Sequence, residues 1–421
     1  MSLDVYLRGK RIGGLFQSGE RDYSFAYTPD AVAQGGAGET LLSHSLPLRS
    51  EPFGPDTTRA YIEGLLPQGE RRAAIVAELG LELDDGYGLI AALGRDCPGA
   101  VVFTEPGEEP VSPLDKDSLA WLSEEELDEV LAPQPERLFD PEHEHRMRFA
   151  LPGERYKLAL VFDPETGYWA WPQPGVPSTH IVKPEVPGKP GIVANEMACT
   201  LAYRELGLPV VHTMVAHHGD RLCLISKRFD RWGDGPNAER LHQESFAQAL
   251  GIAPGSQKRH GETPDLREAC GLLRAIGEDE ARHALAKAVF CDLGIGDCTA
   301  RAANAALLFA DEGPILAPFF GNVATEVYGT KRRRAPVIGA PPAPLLVDIY
   351  RTAIECGLEF QPALIEAIRT MAASCSGLNR ALNLAQEEGW HSRVVEEVLQ
   401  VAIERGTGFK DEIVYLEPPG A

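Results

Sequence analysis

The chain has 421 residues, 44% of them hydrophobic and 24% charged, with a formal net charge of −22. That length suits two or three globular domains, no run of 18 apolar residues is present to span a membrane, and the start MSLDVYLRGK lacks the apolar core of a signal peptide, which points to the cytoplasm. A field of this sign repels phosphate backbones, so direct nucleic-acid binding by this chain alone is not expected, and any DNA role would come through a partner.

In chain order, residues 1–30 alternate apolar and polar around turn signals, with Leu3, Val5 and Leu7 on one strand face and Tyr23, Phe25 and Tyr27 on another. Residues 56–95 read as helical, with apolar stripes of Ala60, Ile62, Leu65 and Leu66 and of Ala74, Ile75, Leu79 and Leu81. A strand from Ala100 to Phe103 completes a small α+β domain, 1–103. Residues 104–145 hold fourteen Asp/Glu against Lys116 and Arg137, and 104–147 read as an acidic linker. Within it, Ser123 and Glu126 form a capping box for a helix to Leu131.

From 148 the strands come first: Lys157 to Phe162, His180 to Lys183, then Val211 to Ala216 and Leu222 to Ser226, with a helix at Ala194 to Leu206 between them. Beyond 243 the pattern is helical, apart from an extended stretch near 306–318, and 343–404 read as three or four amphipathic helices. The chain after the linker therefore divides into a strand-rich lobe, 148–238, and a helical lobe, 239–421. A sheet-rich half followed by a helix-rich half predicts an α+β bilobal architecture.

The eight cysteines are scattered and none forms a C-x-x-C pair, which argues for buried thiols in a reducing compartment and against structural zinc. His143 and His145 flank Glu144, and the pattern reads as an exposed polar loop. Lys331, Arg332, Arg333 and Arg334 are the one basic run, read as solvated charge on a loop.

Several blocks, in order, resemble the HipA family of toxin serine/threonine kinases. LSHSLPLRSEPF (42–53), GLLPQGERR (64–72) and LGRDCPGAVVF (93–103) are similar to its N-terminal subdomain. FALPGERYKLAL (149–160) resembles its phosphate loop, THIVKPE (179–185) its ATP-lysine strand, and NEMACTLAYRELGLPV (195–210) the helix that follows. KRFDR (227–231) and RLHQESFAQALG (240–251) resemble its hinge and the start of the helical lobe. GDCTARAANAALLF (296–309) is similar to its catalytic loop and LAPFFG (316–321) to its metal-binding segment. The resemblance implies a HipA-like, bilobal, protein-kinase-like fold with a small N-terminal α+β subdomain and a helical C-terminal lobe.

It also implies roles. Lys183 would be the ATP lysine, with Glu196 as its ion-pair partner; Gly153 and Lys157 would cradle phosphates, and Phe229 would mark the adenine hinge. The departures from the family pattern are chemical. Ala150 replaces a serine that family members autophosphorylate, Pro152 removes an amide donor, and Glu154 adds negative charge. Ser245 replaces the aspartate that closes the family's block there. Aligning on Asn304 puts Thr299 at the catalytic aspartate, Ala300 at the glycine, Arg301 at the histidine and Ala303 at the lysine. Gly321 stands at the metal aspartate, leaving Asn304 as a poor metal ligand by itself. A threonine accepts no proton at neutral pH, and Mg²⁺ prefers carboxylate oxygen.

The expected function is thus a HipA-like pseudokinase acting as a binding or regulatory module in a toxin–antitoxin-type system, with weak ATP and Mg²⁺ binding. Its expected partner is a helix-turn-helix antitoxin or a sibling kinase. The alternative is an active serine/threonine kinase toxin using non-standard carboxylates, Asp297 or Asp311 among them. Lys183 and Glu196 are expected to pair, and Thr299, Asn304 and Gly321 to line a cleft with Lys183.

Overall fold

The computed structural model describes residues 1–19, 22–36, 38–110, 119–131, 149–173, 175–219, 221–254, 257–258, 261–262, 265–298, 305–330 and 345–414. The helices in chain order are α1 (Pro29–Gln34), α2 (Pro55–Glu63), α3 (Gly69–Leu79), α4 (Gly86–Leu93), α5 (Glu124–Leu131), α6 (Ile192–Glu205), α7 (Phe246–Ala249), α8 (Leu266–Ala275), α9 (Asp279–Ile295), α10 (Leu345–Cys356), α11 (Phe360–Glu387) and α12 (Arg393–Val414). The strands used below are β1 (Ser2–Leu7), β2 (Lys10–Gln17), β3 (Tyr23–Tyr27), β4 (Val101–Thr104), β5 (Ala120–Trp121), β6 (Leu158–Phe162), β7 (Trp169–Trp171), β8 (His180–Pro184), β9 (Thr213–His218) and β10 (Arg221–Lys227).

These elements fall into two compact units. The first comprises Met1–Pro184, Ile225–Pro254 and Leu307–Pro314; the second comprises Glu185–Leu224, Gly255–Ala306 and Ile315–Ala421.

In the first unit an antiparallel sheet runs β3-β2-β1-β4. Period-2 alternation sends Tyr23, Phe25 and Tyr27 inward from β3, as their spacing predicts. They meet Phe53, Tyr61 and Leu65 in one core. The expected helical block 56–95 resolves into α2, α3 and α4. Leu65 and Leu66 are buried although α2 ends at Glu63. Gly80 stops α3 in the left-handed conformation at φ 65°, which glycine adopts without a Cβ clash. Ser123 and Glu126 make the predicted capping box, with Ser123 N donating to Glu126 Oε2 at 2.8 Å and Glu126 N to Ser123 Oγ at 3.1 Å. Strands β5-β7-β6-β8 lie side by side in this order, with Leu158 opposite Val182 and Leu160 opposite His180.

The second unit is mainly helical, with β9 and the start of β10 beside its helices in the chain. Its centre is α6, every residue of which from Ile192 to Tyr203 is buried. Helix α11 packs closely on α6 because Gly377 has no side chain: a Cβ there would lie 2.7 Å from Ala202 Cα. Helix α9 ends at Gly296, left-handed at φ 83°. No helix among the described residues is long and apolar enough to cross a membrane.

Candidate functional site

The phosphate-loop block, 149–157, is bound into the first unit along its backbone. Ala150 is buried, and its N–H donates to Asp96 O at 3.0 Å. Leu151 O accepts from Arg71 Nη1 at 2.7 Å, and Gly153 O accepts from Gln68 N at 3.2 Å. Burial brings the Arg71 guanidinium down to about 10. Gly153 sits at φ 94°, a conformation that calls for glycine, with the Lys157 Nζ 3.0 Å from where a Cβ would stand. Lys157 Nζ turns back to donate to Pro152 O at 2.5 Å. Glu154 lies against Gly69, the first residue of α3, where a helix N-terminus favours a carboxylate.

Lys183 stands on β8, the strand the sequence predicts for it, and is half-buried. Phe229 is half-buried in the turn after β10, between Arg228 and Asp230. Those neighbours belong to a buried ionic cluster that sequence reasoning missed. Arg228 donates to Asp230 Oδ1 and Oδ2 at 2.9 and 2.8 Å and to Ser178 Oγ at 2.8 Å. Arg231 Nη2 donates to Asp96 Oδ1 at 2.8 Å, and Gly99 N donates to Asp230 Oδ2 at 2.6 Å. Burial alone would raise the Asp96 carboxyl, but Arg231, Arg228 and Arg240 outweigh it and hold the group below its ordinary range. The signal was present in the sequence: LGRDCPGA sets Arg95 and Asp96 in an otherwise apolar stretch, and KRFDR packs four charges directly after the apolar run LCLIS.

In the second unit, Glu185 accepts from Gly191 N and Val193 N at 3.1 and 3.0 Å, closing the N-terminus of α6. One turn on, buried Asn195 grips the backbone of Ala324: its Nδ2 donates to Ala324 O at 3.1 Å and its Oδ1 accepts from Ala324 N at 2.9 Å. Glu196, beside it on α6, is buried. The segment after Gly321 is thereby fixed to α6 and also to the end of α9. Cys298 N donates to Thr325 Oγ1 at 3.0 Å, and Glu326 N to Gly296 O at 3.1 Å. The segment that follows the metal block and the first residues of the catalytic block are therefore neighbours, a juxtaposition their separation in sequence does not reveal.

Gly321 itself is at φ 71°, and a Cβ added there would meet nothing within 4 Å. Asn322 is buried, and its Nδ2 has no hydrogen-bond partner among the described residues. Asp297 is also buried. Burial first, then the Asp297 charge, push the neighbouring Asp292 carboxyl well above its ordinary value. Tyr203 donates its hydroxyl to Asp292. Asp311 and Glu312 stand on an exposed turn of the first unit.

Residues 149–382 match the model of the HipA-like C-terminal domain, and residues 3–104 that of the HipA N-terminal domain. The chain belongs to the HipA family. Among curated relatives, a putative kinase, Y4mE, of Sinorhizobium fredii is 31% identical over 332 residues, 77% of this chain and 78% of that protein. A serine/threonine-protein kinase toxin HipA of Shewanella oneidensis is 23% identical over 351 residues, covering 78% and 76%. Among solved structures, the HipA of a Shewanella oneidensis toxin–antitoxin complex with HipB and operator DNA superposes with a TM-score of 0.79. It is 20% identical, with 99% of this chain and all of that one covered. The α+β, HipA-like fold expected from the sequence is the fold of this chain.

Of the site residues that the HipA family pattern assigns, Lys183, Gly153, Lys157 and Phe229 belong to the first unit, and Glu196 and Gly321 to the second. Thr299, Asn304 and the intervening Ala300, Arg301 and Ala303 lie outside the described residues, as do His143, Glu144, His145 and the basic run 331–334. Among the described residues, Gly321 stands where the family pattern has the aspartate for the Mg²⁺ ion that kinase chemistry implies. Gly321 offers no side-chain oxygen. Among the described residues no group of three or more His, Cys, Asp or Glu is placed to hold a metal.

Proposed function

We propose that this HipA-family chain is a pseudokinase, a kinase-like scaffold whose work is to bind a protein partner. The observation that carries the reading is Gly321. Where the family pattern has the metal aspartate, this chain has a left-handed glycine with open space around it. Phosphoryl transfer depends on positioning and on neutralising the triphosphate with metal, and one lost catalytic group commonly costs several powers of ten in rate. The replacement of the base by Thr299 acts in the same direction. The competing reading is a working kinase with Asp297, buried just after α9, as its base.

The related solved HipA is in a complex with HipB and operator DNA. By analogy, the partner proposed here is a small basic antitoxin that supplies the DNA contacts a chain of charge −22 does not favour. Titration calorimetry with ATP, with and without Mg²⁺, tests the reading. Weak binding that is indifferent to Mg²⁺, with no labelled phosphate on the chain, is expected. Tight binding that requires the metal overturns it.

A further inference from the structure

The second unit brings two cysteines together from positions 86 residues apart. Cys270, on α8, and Cys356, the last residue of α10, are both buried, and their sulfurs are 3.0 Å apart with one thiol donating to the other. Three other described cysteines bond to oxygen atoms instead. Cys97 donates to a backbone carbonyl, Cys199 to Asn195, and Cys291 meets Ser374. A disulfide bond is about 2.05 Å long, so about 1 Å of approach, shared between two side chains, separates this pair from a covalent link.

The surroundings supply a cation and an opening. Arg282 Nη1 donates to Cys356 O at 2.8 Å, and its charge pulls the Cys356 thiol down, but the Cys270 thiol and burial push it up by more, so the thiolate forms only when the helix end opens. Cys356 ends its helix, and helix ends open more readily than their middles. Above the pair, Arg267 grips Glu355 through Nε and Nη2 at 2.7 and 2.8 Å, so α8 and α10 are already held in register.

We propose that Cys270 and Cys356 are a reversible dithiol–disulfide site that clamps α8 to α10. With a peroxide as oxidant, the Cys356 thiolate attacks one peroxide oxygen. The O–O bond breaks, giving a sulfenic acid and hydroxide, which takes up the thiol proton as water. The Cys270 sulfur then attacks the sulfenic sulfur; the S–S bond forms, the S–O bond breaks, and the departing hydroxide takes the second proton. Two thiols lose two electrons to one peroxide, and two waters leave. The loop so closed runs from 270 to 356 and contains both Asn304 and Gly321, so the clamp ties together the ends of the segment that carries the degenerate site. It stands independently of whether that site binds ATP.

The test treats the full chain with hydrogen peroxide, alkylates the remaining thiols after unfolding, and maps the digest without reductant. A peptide linking Cys270 to Cys356, two hydrogens lighter than its reduced parts and released by dithiothreitol, is expected. The oxidised chain should also melt higher than the reduced one, because closing a loop of this length restricts the unfolded state. Cys270→Ser and Cys270→Ala should each lose both the link and the shift. The proposal fails if both cysteines are recovered separately alkylated or over-oxidised, if either links to another cysteine, or if the link forms without raising the melting temperature.

Discussion

His242 carries a titration that can be read as stability. Its imidazole is buried in the first unit, with Nε2 2.7 Å from Leu42 O and Nδ1 3.5 Å from Ala100 N. The carbonyl needs a donor and the amide an acceptor, so one neutral tautomer satisfies both. Protonation would set an N–H against an N–H. Burial brings the group from 6.5 down to about 4, against the opposing pull of the Leu42 carbonyl. The unfolded chain therefore binds a proton near pH 6.5 that the folded chain refuses until about pH 4. Stability from this residue is complete above pH 6.5 and drains away as pH falls to 4, by about 3 kcal/mol at about 1.4 kcal/mol per pH unit.

Buried Asp292 has the opposite sign in that window, since its raised value makes the folded state the better proton acceptor. The clean measurement is accordingly the stability gap between wild type and His242→Gln, in which that contribution cancels. Urea melts can be followed by fluorescence, because four of the five tryptophans, Trp121, Trp169, Trp171 and Trp232, lie in the first unit. The wild-type advantage at pH 7.5 should shrink by about 2–3 kcal/mol at pH 4.5. A gap that stays constant across that range refutes the assignment of a neutral, buried His242.

Two further substitutions test the packing. Asp96→Ala leaves Arg228 and Arg231 buried without one of their two carboxylates and should cost about 3–5 kcal/mol in urea unfolding; a loss below about 1 kcal/mol would mean the cluster is solvated. Gly377→Ala gains helix propensity but drives a Cβ into Ala202 Cα, and thermal melts should show a net loss of about 1–2 kcal/mol; a rise in melting temperature would show that α11 moves freely off α6.

The parts of this fold that were legible in the sequence are those written in local periodicity. Alternation placed β3 with Tyr23, Phe25 and Tyr27 inward, and a Ser–x–x–Glu pattern placed the start of α5. Lys183 fell on its strand because the apolar run around it reads as one. The α3 stripe was only partly legible: Ile75 is buried as predicted, but Val76, Arg71 and Arg72 take the inner positions while Ala74 stays half-buried. A guanidinium is inside only because Leu151 O receives it, and no local pattern announces a partner 80 residues away. The same reason hid Asn195 with Ala324, and Cys270 with Cys356, whose separations are 129 and 86 residues. Long-range polar pairs leave no period in the sequence.

The carboxylate positions missing from the family pattern offer the most direct test of the proposed pseudokinase. If silence follows from the missing acids, returning them should restore metal-dependent nucleotide binding. Gly321→Asp is feasible by geometry: nothing lies within 4 Å of the added Cβ. The left-handed conformation at φ 71° is one that aspartate tolerates better than most residues, at a cost of about 1 kcal/mol. Together with Thr299→Asp, it would give Asn304 the carboxylate companion a hard cation requires. The double variant should bind ATP at least about tenfold more tightly with Mg²⁺ than without, a difference of about 1.4 kcal/mol, whereas wild type should show no such dependence. Phosphate transfer to the chain itself should stay absent, because Ala150 has no hydroxyl and is buried. A double variant that melts cooperatively yet gains no Mg²⁺ dependence would locate the defect elsewhere. The first place to look would then be the loop 150–157, where Lys157 is turned onto Pro152 O.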